Sequence, residues 1–280
     1  MRLGQIAWNH AVTAAIFDEH GARPIPDHSF YDLIRRSEKE RVPLANLARS
    51  LAAAKHEQAA PLIPIHPQEV WGLGCTYESS SAFRDSEHGT REGFYAHIYR
   101  EPRPGIFFKG NARTCVGPEQ PIGVRRDSKF TAPEPELAVV LNSAGTILGY
   151  TLANDVSAWD IERENPLYLA QSKMYAGSCA IGPVVVTPDE IPDPYQLEIT
   201  CTIARSEKII FSGQASTASL HRKIDQMIEY VCRSNPIPSG SVLLTGTGIV
   251  VGEDAALAPG DVVTIHTALI GRLSNIAVLV

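Results

Sequence analysis

The sequence predicts a β-rich α+β fold, with strands forming a roll or sandwich and helices at its rim. Two observations carry this reading. Short apolar runs bounded by Gly, Pro, Asn and Ser recur along most of the chain, and one clear amphipathic helix interrupts them after residue 69. A doubly wound parallel sheet would instead follow each strand with a helix.

In chain order, residues 1–56 read as a small N-terminal α+β module. Residues 3–8 and 12–17 alternate as short strands, with a Gly-containing turn at Glu19-His20-Gly21. Helical spacing follows at 29–37 and 44–54, and Pro43 stands at a helix start, where its missing N–H costs nothing. Pro61, Pro64 and Pro67 mark a stiff linker over residues 57–68. Residues 69–280 read as the larger domain, with strands at 70–73, 106–109, 137–141, 147–152, 182–186, 197–204, 209–212, 241–245 and 262–267. The helix at 219–233 lines up Leu220, Ile224, Met227, Ile228 and Val231 on one stripe.

At 280 residues and 44% hydrophobic, the chain can bury a large core. A net charge of -6 argues against nucleic acid or an anionic membrane surface as partner. The five cysteines (Cys75, Cys115, Cys179, Cys201, Cys232) are odd in number and lack Cys-x-x-Cys spacing. They read as reduced thiols of a cytoplasmic protein. With no secretory pattern and no apolar run approaching 18 residues, a soluble cytoplasmic protein is expected. The histidines form no i, i+4 pair and no Gly-x-Ser-x-Gly occurs, which removes a zincin-type site and a serine hydrolase.

The chemistry concentrates at residues 134–155. Glu134 and Glu136 lie two apart on a strand and share a face. The run LAVVL, the turn Asn142-Ser143-Ala144-Gly145 and the returning run ILGYTL bring Asp155 back beside them. Alone, a Glu-x-Glu is most often a solvated strand face. Three crowded carboxylates, however, call for a cation, and a hard divalent ion with oxygen ligands suits them.

Further segments keep this motif company: GLGCTYESSS from Gly72, Phe107-Phe108-Lys109, Gln171-Ser172-Lys173, and Leu244-Thr245-Gly246-Thr247-Gly248 ahead of LAPGD. With EPELAVVL, ILGYTLANDVSA, GPVVVT and LAPGDVVTI, they resemble the fumarylacetoacetate hydrolase superfamily in order and spacing, from about Trp71 to the C-terminus. The resemblance implies that superfamily's mixed β-roll. It also implies Mg2+, with Mn2+ or Ca2+ as alternatives, held by Glu134, Glu136 and Asp155, a chelating 2-keto acid as ligand, and a homodimer or homotetramer.

Two departures from the hydrolase pattern bear on the reaction. Carbon–carbon-cleaving members place a His three residues after the Tyr of Gly-x-x-Tyr, where this chain has Ser80, a poor general base. The pattern Asn-Asp-x-Ser-Ala-Arg-Asp becomes Asn154-Asp155-Val156-Ser157-Ala158-Trp159-Asp160, so an indole replaces a guanidinium. The stretch 162–183 is similar to a smaller branch, the 2-keto-3-deoxy-D-arabinonate dehydratases and related sugar-acid enzymes. That branch carries a Glu shortly before Phe-Phe-Lys, where this chain has Gly105. Proton handling is then expected to fall to Lys173 with Glu78 or Glu101.

The expected activity is metal-assisted β-elimination of water from a 2-keto-3-deoxy sugar acid, with Lys173 as base in a lowered-pKa state. Its alternative role is a surface lysine or a salt-bridge partner of Glu162. Thr247 either offers its loop to a substrate carboxylate or marks a simple turn; Lys109 either meets substrate or snorkels. Ser80, Phe83, Arg84 and Trp159 complete the substrate-binding candidates, and residues 86–90 are expected to form a mobile lid. The competing activities are a metal-dependent hydrolase or decarboxylase of a β-diketo acid (an acylpyruvase), and a non-catalytic binding protein.

Overall fold

The computed structural model describes residues 1–87 and 93–280. Strands β1 (Arg2–Trp8), β2 (Ala11–Asp18) and β3 (Gly21–Ile25) form an antiparallel meander. Helices α1 (Phe30–Glu40) and α2 (Leu44–Leu51) follow, the first opened by a Ser29/Asp32 capping box. Next come β4 (Val70–Gly74), α3 (Glu78–Glu87), α4 (Phe94–Arg100), β5 (Gly105–Gly110), β6 (Cys115–Val116), β7 (Ile122–Val124) and β8 (Thr131–Ala132). The hairpin β9 (Pro135–Leu141) and β10 (Ile147–Asp155) leads to β11 (Ser157–Ala158), α5 (Trp159–Glu164), α6 (Leu169–Lys173) and β12 (Cys179–Val186). Strands β13 (Glu198–Arg205) and β14 (Lys208–Ser216), helix α7 (Ile224–Cys232), and β15 (Ser241–Leu244), β16 (Val262–Thr267) and β17 (Gly271–Leu279) complete the chain.

The large sheet runs β3-β2-β1-β12-β10-β9-β15-β4-β5, with β6 added alongside β12; a second sheet runs β14-β13-β16-β17-β7. Strand β9 lies inside the large sheet and is buried on both faces, which is why its sequence is a continuous apolar run. One face (Leu137, Val139) shares a core with Ile199, Ile203, Val263 and Ile265 of the second sheet. The other (Ala138, Val140) shares one with Leu3, Phe30 and Ile34. The N-terminal segment expected as a module thus joins the large sheet through β1 and β12 and contributes to its core. Residues 57–68 run along that sheet, with Ile63 and Ile65 buried and Leu62 N–H donating to Gln5 O at 2.8 Å.

Two of the elements that the sequence reading leaves out were hidden for a clear physical reason. Helix α3 occupies a segment that the sequence reading assigns to no element, because its inner face is polar: Ser80, Ser81 and Arg84 are buried, so no apolar stripe announces it. Ser86 and Glu87 close this helix, while the remainder of the expected lid, 88–90, lies outside the described residues. Strand β17 went unread because Ser274 and Asn275 fill buried positions, the latter donating from Nδ2 to Gly117 O (2.9 Å) and Gln120 O (2.8 Å).

Candidate active site

The β9–β10 register sets Ala153 opposite Glu136 and Asn154 opposite Pro135. Asp155 N–H donates to Glu134 O at 2.9 Å, and Asn154 Oδ1 accepts from Glu134 N–H at 3.1 Å. Glu134, Glu136 and Asp155 therefore converge as expected: one carboxylate oxygen from each lies within 4.8 Å of the others, and all three residues are buried.

Cations from three separate elements close on this triad. Lys173, at the end of α6, places Nζ 2.7 Å from Glu134 Oε1, 3.0 Å from Asp155 Oδ2 and 2.6 Å from Ser157 Oγ. Lys109, at the end of β5, puts Nζ 2.5 Å from Asp155 Oδ1 and donates to Val156 O at 3.0 Å. Arg84 of α3 donates from Nη2 to both oxygens of Glu134 (3.2 and 3.1 Å) and from Nη1 to Ser80 Oγ (2.7 Å). The Trp159 indole donates from Nε1 to Glu134 Oε1 at 2.9 Å. Arg84 lies 4.8 Å over that indole, and Phe83 packs against it at 5.2 Å. A guanidinium is thus present beside Trp159 after all, supplied by α3.

These contacts charge the carboxylates unequally. Burial would raise the Glu134 carboxyl, but Lys173 and Arg84 bring it down to about 2. Glu136 is raised well above its ordinary value, by burial first and then by Asp155 and Glu134. Its main local support is the Gly246 N–H, which donates to Oε2. That N–H requires Gly246: its φ is +92°, and a Cβ there would sit 1.9 Å from Thr76 Oγ1. An all-oxygen, buried donor set with one uncompensated carboxylate fits a hard divalent ion.

A cavity of about 230 Å³ opens beside Glu134, the one member of the triad that lines it. Leu73, Ile106, Phe107 and Leu169 give it apolar walls, and Arg84, Glu134, Glu162 and Lys173 provide its charges.

The structure places the other expected residues as follows. Lys173 was expected with a lowered pKa. Burial does act downward on it, but Asp155, Glu134 and Glu162 outweigh burial and raise it, leaving a firm ammonium in this arrangement. Lys109 neither snorkels nor lines the cavity; it is wholly buried against Asp155. Thr247 uses its hydroxyl inside its own loop, accepting from Ile249 N–H at 3.1 Å and donating to Ile249 O at 3.2 Å. Glu78 is exposed: on α3 it lies roughly opposite the face carrying Ser80, Ser81 and Arg84. Glu101 pairs with His97 at the protein surface, 3.6 Å away. The residue not singled out for the site is Glu162, buried at the cavity wall, 3.9 Å from Lys173 Nζ and 3.7 Å from Arg84 Nε. The sequence offers Glu162 only as a salt-bridge partner of Lys173, and the structure does set the two 3.9 Å apart.

Fold and site together define a carboxylate-lined, metal-competent member of a known class. Residues 81–278 match the fumarylacetoacetate (FAA) hydrolase C-terminal family, and the chain belongs to it. Among similar proteins, 2-dehydro-3-deoxy-D-arabinonate dehydratase of Saccharolobus solfataricus is 51% identical over 213 residues, 75% of this chain and 72% of that one. The probable 2-keto-3-deoxyxylonate dehydratase of Haloferax volcanii is 42% identical over 213 residues, 76% and 73% of the two chains. A solved structure of 2-keto-3-deoxy-D-arabinonate dehydratase complexed with magnesium and 2,5-dioxopentanoate superposes with a TM-score of 0.85 at 40% identity, covering 100% of this chain and 99% of that one.

Proposed function

We propose that this protein is a Mg2+-dependent hydro-lyase that dehydrates a 2-keto-3-deoxy sugar acid such as 2-keto-3-deoxy-D-arabinonate. The observation that carries this is the buried Glu134/Glu136/Asp155 triad, with Glu136 raised by its neighbours, whose member Glu134 lines a cavity that also presents Lys173. The curated dehydratases named above supply the substrate class.

Charge balance favours an anionic keto acid. Four carboxylates (Glu134, Glu136, Asp155, Glu162) face three cations (Arg84, Lys109, Lys173), a net charge near -1. A divalent cation inverts that sign and accommodates a monoanion. Held by Glu134, Glu136 and Asp155, Mg2+ would supply Lewis acidity toward the keto group, making the C3 hydrogen acidic.

The chain's own groups then act as follows. Lys109 and Lys173 fix the two oxygens of Asp155, and Arg84 with Trp159 fixes Glu134. When Glu134 and Asp155 are engaged elsewhere, burial and the neighbouring Arg84 favour the neutral amine of Lys173, with Glu162 the one carboxylate left opposing them. Lys173 Nζ takes the C3 proton and returns one to the departing C4 hydroxyl. Loss of water leaves a C3=C4 double bond; one C5–H proton then moves to C3, and the resulting C4=C5 enol passes its hydroxyl proton to C4, so that C5 becomes an aldehyde and the product is a 2-oxo acid semialdehyde. The apolar walls limit water entry, which suits elimination.

Hydrolysis of a β-diketo acid finds less support, because the Ser80 hydroxyl accepts from Arg84 and stands in no base-like setting. A proton NMR time course with Mg2+ decides between them. Aldehyde growing only from 2-keto-3-deoxypentonate establishes the lyase; pyruvate appearing from an acylpyruvate establishes the hydrolase and removes the proposal.

Cytoplasmic location and a homodimer or homotetramer belong to the same proposal. No helix among the described residues is long and apolar enough to cross a membrane. On the second sheet, Ile209, Ala204, Val262 and Ile276 fall in one cross-strand row, and the three large residues are exposed, an apolar stripe suited to a second copy.

A further inference from the structure

The cavity contains a donor and an acceptor that the mechanism above does not use. Arg84 is buried, and although its Nη groups are engaged, its Nε has no hydrogen-bond partner among the described residues. Glu162 Oε1 lies 3.7 Å from that Nε, too far for a direct hydrogen bond. The other oxygen, Oε2, accepts from Ser172 Oγ at 3.3 Å, which orients the carboxylate. Both Arg84 and Glu162 line the cavity, whose remaining walls are largely apolar. An oxygen placed about 2.8 Å from each atom would bridge the gap. A hydroxyl is the group that can do so, since it accepts and donates at once.

The order of groups says which hydroxyl. Lys173 Nζ bonds to Glu134 and Asp155 and lies 3.9 Å from Glu162 Oε2, so Glu162 sits one ammonium beyond the triad. Resting on the keto-acid reading given above, a substrate whose C1 and C2 face the triad carries C3 past Lys173 and C4 to Glu162. We propose that Arg84 Nε and Glu162 Oε1 form a hydroxyl clamp that holds the C4 hydroxyl and selects hydroxylated keto acids over plain ones. Arg84 Nε donates to that oxygen, and the hydroxyl donates to Glu162. A keto acid without the hydroxyl leaves Arg84 Nε as unmatched as it already is and forgoes both hydrogen bonds, and that loss is the source of discrimination.

Glu162→Leu and Glu162→Gln test the clamp in Mg2+-loaded protein, with two probes. One is 2-keto-3-deoxypentonate, read as kcat/KM. The other is 2-oxopentanoate, the same five-carbon frame without hydroxyls, read as a Kd by calorimetry. Glu162→Leu is expected to lower kcat/KM by about 10- to 100-fold, the loss of a charged hydrogen bond, while the Kd of 2-oxopentanoate stays within about threefold. Glu162→Gln keeps an acceptor oxygen and is expected to fall between the two, with an unchanged Tm. Parallel loss of both probes would mean that Glu162 merely props Lys173, and unchanged values for both would leave it no role; either overturns the clamp. If the wild-type protein binds 2-oxopentanoate but turns over no hydroxylated acid, the lyase reading fails by itself. The clamp is then decided by the two Kd values, and equal affinities overturn it.

Discussion

Replacing Glu136 by Gln separates stability from function, because its effects on the two should run in opposite directions. In metal-free protein the folded Glu136 carboxyl titrates well above 4.5, owing to burial and then to Asp155 and Glu134. Below that pH the group is protonated in both folded and unfolded chains and favours neither. As pH rises, the unfolded chain releases the proton while the folded one retains it, so the folded state loses stability. Gln keeps an oxygen for the Gly246 N–H and adds an amide donor toward the neighbouring carboxylates. Near pH 7.5 in EDTA, the variant should therefore be more stable than the wild type by on the order of 1–3 kcal/mol, the cost of an unmatched buried group. For a 280-residue chain, an unfolding entropy of about 2.1 cal/mol/K per residue totals about 0.6 kcal/mol/K, which converts this gain to about 2–5 °C in Tm. Adding Mg2+ at about 100 times Kd should stabilise the wild type by about 2.7 kcal/mol, or roughly 5 °C. The variant should gain little and show no turnover. Differential scanning calorimetry with and without EDTA, between pH 5 and 8, reads every part. A destabilised variant that still responds to Mg2+ would refute both the electrostatics of Glu136 and its place as a ligand.

Other outcomes follow from the same geometry. Lys173→Met should lower turnover by at least about 10³-fold, as for loss of an essential proton-transfer group, while the Mg2+-induced rise in Tm persists. If that rise vanishes, Lys173 is structural. Gly246→Ala puts a Cβ 1.9 Å from Thr76 Oγ1 at a φ of +92°, and should cost about 2–4 kcal/mol in urea unfolding; a neutral result would mean the loop relaxes. Glu134, held down to about 2, contributes stability that is fully present above its ordinary 4.5 and lost as pH falls toward 2. Glu134→Gln should accordingly flatten the acid limb of a stability–pH curve. Ile276→Asp, on the apolar row with Val262, should shift a dimer toward monomer by light scattering at micromolar protein; an unchanged mass places the interface elsewhere.

What the sequence made legible was what is local. Glu134, Glu136 and Asp155 sit on one hairpin, so a two-residue period and a Gly turn suffice to bring them together. The cations are different. Arg84, Lys109 and Lys173 come from α3, β5 and α6, and nothing in a periodicity says that three such elements end at one point. Family resemblance pointed to Lys173, but not to the state of its charge, which depends on neighbours that only the fold assembles. Helix α3 was hidden by its own function, since a helix that buries Ser80, Ser81 and Arg84 has no apolar stripe to read. Polar burial of this kind is costly unless each group is matched, and local sequence–structure rules fail most readily at such sites. Glu162 is the sharpest instance: the sequence offers it only as an ion-pair partner of Lys173, yet in the fold it also stands at the cavity wall beside the unmatched Arg84 Nε. A place where sequence reasoning offers no more than an ion pair and the structure supplies a buried charge at a cavity wall is where ligand recognition is best sought.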